Sequence, residues 1–221
     1  MCGAIDLQLI ATQIREGEGR VVRCPQCHLV MQDLAWSTAQ IKDYYNDEYQ
    51  RTNSLVSGEQ QNAREHFQER VKTIQPFFEL IKPILRSNMK VLDVGCGAGE
   101  LLSLIKPLVQ ECVGVEMNEG FVEFIRVDLG LEAHTSDVTH LDWGERKFDL
   151  VMCVDSLDHM PNPKEALNQM ARLLAPNGKI WIAVPNLDEA LSHFLPEPNQ
   201  TLYRTFFWHR AHFFYFNADT L

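Results

Sequence analysis

A chain of 221 residues is long enough for one domain with a full core and a smaller appendage. Its composition, 45% hydrophobic and 23% charged, is that of an ordinary globular protein, and 30 acidic against 20 basic residues give a net charge of -10. This acidity disfavours nucleic-acid binding, and no apolar run reaches the roughly 20 residues of a membrane span. We therefore expect neither nucleic acid nor a membrane as a partner. Six cysteines in a chain without a secretory pattern favour the reducing cytoplasm.

The first segment, residues 1–37, is a lead that carries a C-x2-C motif, Cys24-Pro25-Gln26-Cys27. Two thiolates at this spacing can share one tetrahedral zinc ion. One motif supplies only two of the ligands that such a site needs, so two free thiols in a loop are a nearly equal alternative.

Residues 38–88 are predicted to form a mainly helical N-terminal cap. Pro76 is expected to kink the helix, and Pro83 lies near its end. The helix is predicted because apolar residues recur three or four positions apart and so share one face. These residues are Ala63, Phe67, Val71, Ile74, Phe78, Ile81 and Ile84.

From residue 89 to residue 221, predicted strands and helices alternate along the chain. The alternation favours an α/β fold with a doubly wound, mostly parallel sheet and helices on both faces. Ligands of such sheets bind at the carboxyl ends of the strands. The predicted strands are Lys90–Val94, Cys112–Met117, Leu131–Thr135, Phe148–Val154 and Lys179–Val184, and the predicted helices are residues 101–108, Glu119–Asp128 and Lys164–Leu174, the last followed by a Pro176-Asn177-Gly178 break.

Three glycines follow the first of these strands at alternate positions: Gly95, Gly97 and Gly99. Glycine lets the backbone turn tightly and lets a ligand approach the main chain. Asp93 lies near the end of the strand, and Glu100 follows the last glycine. A dinucleotide-binding loop would have a glycine in place of Glu100, whose charge would repel a pyrophosphate. The loop therefore favours a cationic ligand, although a dinucleotide oxidoreductase remains an alternative.

Glu116 closes the second strand, at the distance from the glycine loop where nucleotide-binding folds have a ribose-binding acid. A carboxylate there can accept hydrogen bonds from both ribose hydroxyls. S-adenosylmethionine combines a ribose with a sulfonium and an ammonium and has no phosphate. It is therefore the cofactor that the loop and Glu116 together favour.

From Val91 to Asn186 the chain resembles the class I S-adenosylmethionine-dependent methyltransferases. Five segments carry the resemblance in the family's order: VLDVGCGAGE, VGVEMN, Ser136-Asp137-Val138, FDLVMCVDSLDHMPNP and LLAPNGKIWIAVPN. The resemblance implies a Rossmann-like methyltransferase fold that binds S-adenosylmethionine and transfers its methyl group. In this family two further strands follow a helix that would begin near Asn217, so we expect a sheet truncated before its final strands.

The resemblance also implies a role for each matching residue. Asp93 would orient the methionine ammonium, Glu116 would hold the ribose hydroxyls, and Asp137 would accept a hydrogen bond from the adenine amine. Met117 would pack on the adenine. The cofactor-binding residues implied in this way are Asp93, Gly95, Cys96, Gly97, Gly99, Glu116, Met117, Asp137, Val138 and Cys153.

The candidate catalytic residues follow the fourth strand or lie near the C-terminus. A base is needed only where the acceptor must lose a proton. Asp155, Asp158 and His159 lie after the strand, in a segment where the family often has a Glu-His pair. His209 and His212 lie among aromatic residues, where a packed structural histidine is the alternative. The catalytic candidates are His159, Asp155 and His212.

The lead resembles the small zinc-ribbon module that precedes some of these methyltransferases. That module has two C-x2-C pairs, and Cys2 matches the end of the first pair, so the implied ligands of a structural zinc ion are Cys2, Cys24 and Cys27. The related enzymes often act on sugars or other small metabolites, which favours a small-molecule acceptor. A non-catalytic cofactor-binding module of the same fold is the alternative, and no oligomeric state is predicted.

Overall fold

The computed structural model of the chain describes residues 2–3, 6–15, 17–33, 40, 43–44, 62–188, 208 and 210–221. The chain divides into two compact units. The first unit comprises Met1–Ala35, Asp155–Lys164 and Ala183–Leu221, and the second comprises Trp36–Val154 and Glu165–Ile182. The domain division at residues 37 and 88 stays a prediction. Among the helices of the described residues, none combines the length and the apolar character that a bilayer crossing requires.

The described strands and helices follow one another in this chain order. The strands are β1 (Gln8–Ile14), β2 (Gly17–Arg23), β3 (Val30–Gln32), β4 (Lys90–Val94), β5 (Glu111–Glu116), β6 (Glu132–Thr135), β7 (Phe148–Val154), β8 (Leu174–Ala183) and β9 (Phe214–Tyr215). The helices are α1 (Ala63–Thr73), α2 (Gln75–Ile81), α3 (Glu100–Ile105), α4 (Glu119–Val127) and α5 (Pro163–Arg172). Single 3-10 turns lie at Lys82–Ile84, Lys106–Leu108 and Leu157–His159.

The second unit is built on a five-stranded sheet of order β6-β5-β4-β7-β8. β4 pairs in parallel with β5 and with β7, and β5 pairs in parallel with β6. β4 and β7 are almost continuous apolar runs because nearly all of their residues are buried. The predicted α/β class with a mostly parallel sheet is confirmed, and the bounds predicted for β4 and β7 are the observed ones.

The helical segment before this sheet is divided into α1 and α2. Asn62 caps α1 in a capping box with Glu65: the Asn62 side chain accepts from the Glu65 N–H at 3.0 Å, and the Glu65 carboxylate accepts from the Asn62 N–H at 3.2 Å. Pro76 lies in the first turn of α2, where its missing N–H leaves no helical hydrogen bond unmade. The kink predicted at Pro76 is confirmed as a break between the helices at Ile74.

β8 starts at Leu174, before the segment Pro176-Asn177-Gly178 that was expected to precede it. Within that segment Asn177 takes a left-handed φ of 66°. A Cβ on Gly178 would lie 2.9 Å from the carbonyl oxygen of Phe148, so the two backbones approach each other closely there. Pro176-Asn177-Gly178 thus lies within β8, close to the start of β7, although these three residues are typical of a turn. The local sequence pattern could not predict this long-range contact.

The first unit contains an antiparallel sheet of order β1-β2-β3-β9. β9 joins it through two residue pairs, Val30 with Tyr215 and Met31 with Phe214. These strands were not predicted from the sequence, since β9 has two residues and its partner β3 lies near the other end of the chain. The core beside this sheet consists of Ala11, Ile14, Val21, Val30, Leu187, Trp208 and Tyr215.

Candidate functional site

The glycine loop, Gly95–Gly99, joins β4 to α3. Its glycines all take positive φ angles, 75° at Gly95, 57° at Gly97 and 85° at Gly99, which other residues adopt only with strain. The N–H groups of Gly95 and Cys96 donate to the carbonyl of Val115 at 2.8 and 3.1 Å, so the loop is fastened to β5. A Cβ on Gly97 would lie 3.1 Å from Oε2 of Glu100. The bare backbone of the loop therefore lies directly beside an acidic side chain.

Glu116, at the end of β5, is held by the backbone around it. Its carboxylate accepts hydrogen bonds from the N–H groups of Gly97 at 3.0 Å, Met117 at 2.7 Å and Asn118 at 2.9 Å. Burial raises the pKa of Glu116, and these backbone hydrogen bonds act in the opposite direction. A carboxylate has about four lone-pair positions, so this oriented group can still accept from a ligand hydroxyl.

Asp93, Glu100 and Glu116 form an acidic cluster around the glycine loop. Asp93 is 3% exposed, and burial raises its pKa to about 8, with the negative charges of Glu100 and Glu116 adding to the effect. Burial also raises the pKa of Glu100 to about 7. A positively charged ligand would favour the ionised forms of these carboxyl groups. These three carboxyl groups therefore fit a ligand with ammonium or sulfonium groups.

His66, on α1, contacts this cluster and was not singled out from the sequence. Its Nε2 lies 3.5 Å from Oε1 of Glu100, and its ring centroid lies 4.7 Å from that of Phe121. Burial lowers the pKa of His66 to about 4, so the ring is neutral at pH 7 and does not balance the acidic charge. The sequence signal that could have indicated His66 is its position next to Phe67, which lies on the predicted apolar face of the helix.

The loop after β6 lies next to the end of β5. The Ser136 N–H donates to the carbonyl of Glu116 at 3.0 Å, which places the predicted adenine-binding segment beside the predicted ribose-binding acid. Oδ1 of Asp137 accepts from the N–H and the hydroxyl of Thr139 at 2.8 and 2.7 Å. Val138 is buried. These positions are compatible with the predicted roles, which stay predictions.

The remaining predicted cofactor residues differ in burial. Met117 is half-buried directly after Glu116. Cys96 and Cys153 are buried, and burial raises the pKa of Cys96 well above its ordinary value, with the nearby carboxylates adding to the effect. Burial keeps the Cys96 thiol protonated at neutral pH, so it is a packing group and not a nucleophile.

In the first unit, Asp158, His159 and His212 form a second cluster, called the histidine cluster below. Oδ2 of Asp158 lies 3.3 Å from Nε2 of His212 and 3.7 Å from Nε2 of His159. Asp158 is buried, which raises its pKa, while the charge of His212 lowers it. The structure thus brings together two of the three catalytic candidates. Asp155 lies outside the cluster, at a positive φ of 48°.

Two hydrogen bonds hold the segments that carry the histidine cluster. The Phe213 N–H donates to the carbonyl of Asp158 at 2.8 Å, and Nε2 of Gln32 donates to the carbonyl of His212 at 2.8 Å. Gln32 also donates to the Tyr215 hydroxyl at 2.9 Å. Gln32 and Tyr215 have no sequence signal, because their partners are far away in the chain. His209 lies outside the described residues.

The predicted metal ligands Cys2, Cys24 and Cys27 also lie together, as a cysteine cluster. Their sulfur atoms are within 4.8 Å of one another, and those of Cys2 and Cys24 are 3.4 Å apart. The Cys27 N–H donates to Sγ of Cys24 at 3.5 Å, and this bond is the main cause that lowers the pKa of Cys24 to about 7. Within the described part of the chain, no fourth histidine, cysteine or acid joins the group.

Comparison with known proteins adds a family match and several partial relatives. A family profile described as "Methyltransferase domain" matches residues 63–221. A ubiquinone biosynthesis O-methyltransferase of Coxiella burnetii (strain Dugway 5J108-111) is 29% identical over 101 residues, 43% of this chain and 43% of that protein. The protein of the same name from Azoarcus sp. (strain BH72) is 32% identical over 106 residues, 45% of this chain and 46% of that protein.

A crystal structure of a protein from Bacillus halodurans C-125, provisionally assigned as a methyltransferase, aligns with a TM-score of 0.52. The alignment has 20% identity and covers 64% of this chain and 63% of that one, which shows a common fold alone. The chain spans less than half the length of the curated relatives that it matches. The profile match includes the glycine loop, the acidic cluster and the histidine cluster.

Proposed function

We propose that this chain, which belongs to the methyltransferase-domain family, transfers a methyl group from S-adenosylmethionine to a small-molecule acceptor. The observation that supports the proposal most is the glycine loop beside the acidic cluster. A cation beside these three carboxyl groups would favour their ionised forms, whereas the negative charge of a phosphate would oppose their ionisation. S-adenosylmethionine carries a sulfonium and an ammonium, and the loop offers a backbone that such a ligand can approach.

In this proposal Asp93 binds the methionine ammonium and Glu116 binds the ribose hydroxyls. Three backbone N–H groups already orient Glu116, so it loses little side-chain freedom when it binds. Asp137 and Val138 hold the adenine edge, and Met117 packs on the adenine face. When bound, S-adenosylmethionine supplies an activated methyl group. The protein's main task is then to align the acceptor with it and to exclude water.

An acceptor hydroxyl loses its proton when it is methylated, so the reaction uses a base. We propose His212 as that base and His159 as the second candidate. The Asp158 carboxylate, 3.3 Å from Nε2 of His212, stabilises the ring after it has taken the proton. Asp155 is the third candidate, and its position outside the histidine cluster makes it the weakest of the three.

The acceptor is proposed to be a small molecule with a nucleophilic hydroxyl group. The curated relatives carry the name ubiquinone biosynthesis O-methyltransferase, which supports an oxygen acceptor. A sugar or another hydroxylated metabolite presents the same reactive group. The net charge of -10 disfavours a polyanionic acceptor such as a nucleic acid.

We also propose that the cysteine cluster holds a structural zinc ion. Zinc–sulfur bonds of about 2.3 Å in tetrahedral geometry place two sulfur atoms about 3.8 Å apart. The 3.4 Å between Cys2 and Cys24 is close to that separation. We expect the purified chain to bind added zinc and Cys24→Ser to bind it more weakly, as measured by elemental analysis. Equal zinc uptake by the two proteins would contradict the proposal.

Two separate measurements test the proposed activity. Calorimetric titration with S-adenosylhomocysteine measures cofactor binding, and transfer of a labelled methyl group from S-adenosylmethionine to a panel of phenols, catechols and sugars measures turnover. We expect Asp93→Asn to weaken cofactor binding at least about tenfold, because a charge-assisted hydrogen bond to the ammonium is lost. Glu123→Gln, which removes an exposed carboxylate on α4, is the matched control and should bind like the parent.

The two measurements separate the alternatives. A folded chain that does not bind S-adenosylhomocysteine would contradict the proposed function. Binding without transfer to any acceptor of the panel would support a non-catalytic cofactor-binding module. Binding with transfer would exclude that module, and loss of transfer in His212→Gln with binding intact would support the proposed base.

A further inference from the structure

The histidine cluster brings three metal-binding side chains together within the first unit. One ligand atom from each of Asp158, His159 and His212 lies within 4.8 Å of the other two. The two imidazole rings are 4.7 Å apart between centroids and are inclined at 81°. Because the rings are nearly perpendicular, their Nε2 atoms reach the same carboxylate oxygen from different directions.

The separations in this cluster are those of ligands around an ion. A charge-assisted N–H···O hydrogen bond measures about 2.7 to 2.9 Å. Both Nε2–Oδ2 distances, 3.3 Å for His212 and 3.7 Å for His159, are longer than that. An ion with bonds of about 2.1 Å in tetrahedral geometry holds its ligand atoms about 3.4 Å apart. This value lies between the two observed distances.

The burial of Asp158 gives independent support. Asp158 is 3% exposed, and among the described residues its Oδ1 atom has no hydrogen-bond partner. A buried carboxylate is stable only with a partner that supplies positive charge or a hydrogen bond. A divalent cation beside the carboxylate would supply that charge without requiring either histidine to be protonated.

The cluster is also held in place by the backbone. The Phe213 N–H donates to the Asp158 carbonyl at 2.8 Å, and Gln32 donates to the His212 carbonyl at 2.8 Å. Asp158 and His159 lie in a 3-10 turn, and His212 lies in the loop two residues before β9. Ligands on supported segments are positioned before the ion binds.

We infer that Asp158, His159 and His212 bind one divalent transition-metal ion through two imidazole nitrogens and one carboxylate oxygen. Imidazole ligands favour Zn²⁺, Fe²⁺, Co²⁺ or Ni²⁺ over Mg²⁺ and Ca²⁺, which prefer oxygen. Three protein ligands leave at least one coordination position for water or for an oxygen of a small molecule. The inference stands on the geometry of these side chains and holds whether or not the chain transfers methyl groups.

The inference changes the part that His212 plays in the proposed reaction. With an ion bound to its Nε2 atom, the neutral His212 ring would carry its proton on Nδ1 and would have no nitrogen left to accept another. A hydroxyl that occupies the open coordination position becomes more acidic, as water does on a protein-bound metal ion. The coordinated hydroxyl would release its proton to water, whereas the free imidazole would accept that proton itself, and metal titration distinguishes the two arrangements.

Titration with Co²⁺ tests the site in the chain of 221 residues. Cys24→Ser/Cys27→Ser serves as the parent protein, because thiolates would also bind Co²⁺. We expect one equivalent of Co²⁺ to give visible d–d absorption without a sulfur charge-transfer band. We also expect two exchangeable, hyperfine-shifted ring N–H signals in the proton NMR spectrum, one from each histidine. Asp158→Asn and His212→Gln should each weaken Co²⁺ binding at least about tenfold.

The control is His140→Gln, which removes an exposed histidine of the second unit and should bind Co²⁺ like the parent. A folded parent that takes up no Co²⁺ overturns the inference, and so does uptake that His212→Gln leaves unchanged. If Asp158→Asn does not fold, the two hyperfine-shifted ring N–H signals of the parent protein decide whether both histidines bind the ion. A failure to bind S-adenosylhomocysteine would count against the proposed function only, since Co²⁺ uptake is measured without cofactor.

Discussion

Asp93, the last residue but one of β4, is 3% exposed, and burial raises its pKa to about 8, with the charges of Glu100 and Glu116 adding to the effect. In the unfolded chain the same carboxyl group has a pKa of about 3.9. The raised pKa means that the folded state binds the proton more tightly than the unfolded state does. The stability that this protonation contributes is complete below about pH 4 and is lost as the pH rises through about 8.

We expect the free energy of unfolding of the cofactor-free chain to fall between about pH 4 and about pH 8, the interval between the unfolded and folded pKa values of Asp93. Asp93→Asn should flatten this fall, because asparagine does not ionise. Glu123→Gln, an exposed substitution, should keep the slope of the parent. Urea unfolding followed by circular dichroism at a series of pH values measures the effect. Equal slopes in Asp93→Asn and the parent would show that a different group controls the pH dependence.

At the scale of the elements, one arginine links two parallel strands. Arg146, which precedes β7, donates to Glu132 on β6 at 2.5 Å and to Glu111 on β5 at 2.6 Å. Its guanidinium lies 5.5 Å from the ring centroid of Phe148. The hydrogen bond from Arg146 is the main cause that lowers the pKa of Glu132 to about 2. The stability from this group is present above about pH 4.3 and is lost as the pH falls through about 2.

Arg146→Ala should reduce the free energy of unfolding by about 1 kcal/mol at neutral pH, a value typical of a partly exposed ion-pair network. The difference from the parent should narrow as the pH falls towards about 2, because Glu132 becomes protonated. Arg172→Ala, on the exposed surface of α5, is the matched control and should change stability by less than about 0.5 kcal/mol. Urea unfolding at neutral and acidic pH measures both. If the difference in unfolding free energy between Arg146→Ala and the parent does not vary with pH, the loss of stability comes from the packing of Arg146 on Phe148 and not from its ion pairs.

At the scale of the whole molecule, the first unit is assembled from three separate stretches of chain. β3 and β9 pair although they come from opposite ends of the sequence. The side chains repeat this connection, since Gln32 donates to the Tyr215 hydroxyl at 2.9 Å. β9 has two residues, and in the described sheet it lies at the edge and pairs with β3, so we expect its order to depend on the strands near the N-terminus.

Deletion of residues 1–35 should therefore leave β9 without its partner strand. Hydrogen exchange measured by mass spectrometry should show the amides of residues 210–221 exchanging at close to unfolded rates. β4 and β7 should keep their protection, because their partner strands lie in the second unit. Deletion of residues 1–7, which precede β1, is the control and should keep β9 protected. If the amides of Phe214 and Tyr215 stay protected from exchange after deletion of residues 1–35, β9 does not depend on the N-terminal strands.

The predictions that succeeded rest on patterns within a few residues. β4 and β7 were predicted with their observed bounds because a strand buried on both faces is a continuous apolar run. The glycine loop could also be located from a local pattern, because three glycines at alternate positions mark a turn. The start of β8 was missed because the close approach of Gly178 to Phe148, a long-range contact, overrides the local turn signal.

The candidate site also combines residues that the sequence identifies with properties that only the packed structure shows. Asp93 and Glu116 could be identified as acids near strand ends and Glu100 as the acid after the glycine loop, but their depth of burial, and hence the raised pKa values, depends on the packing of the whole sheet. His66 had no signal of its own, because its contact with Glu100 joins two helices that are distant in sequence. The cofactor-binding roles of Asp93 and Glu116 stay predictions.

The sequence by itself determined the parallel α/β sheet and the glycine loop, because apolar periodicity and glycine spacing act over one strand or one turn, and the resemblance of five ordered segments indicated the family. Only the tertiary structure decided that Asp158, His159 and His212 meet around one carboxylate oxygen, and that β9 completes the N-terminal sheet. The physical reason is chain separation. Contacts between distant residues arise when the chain is packed, and local spacing does not encode which distant side chains will share a buried site.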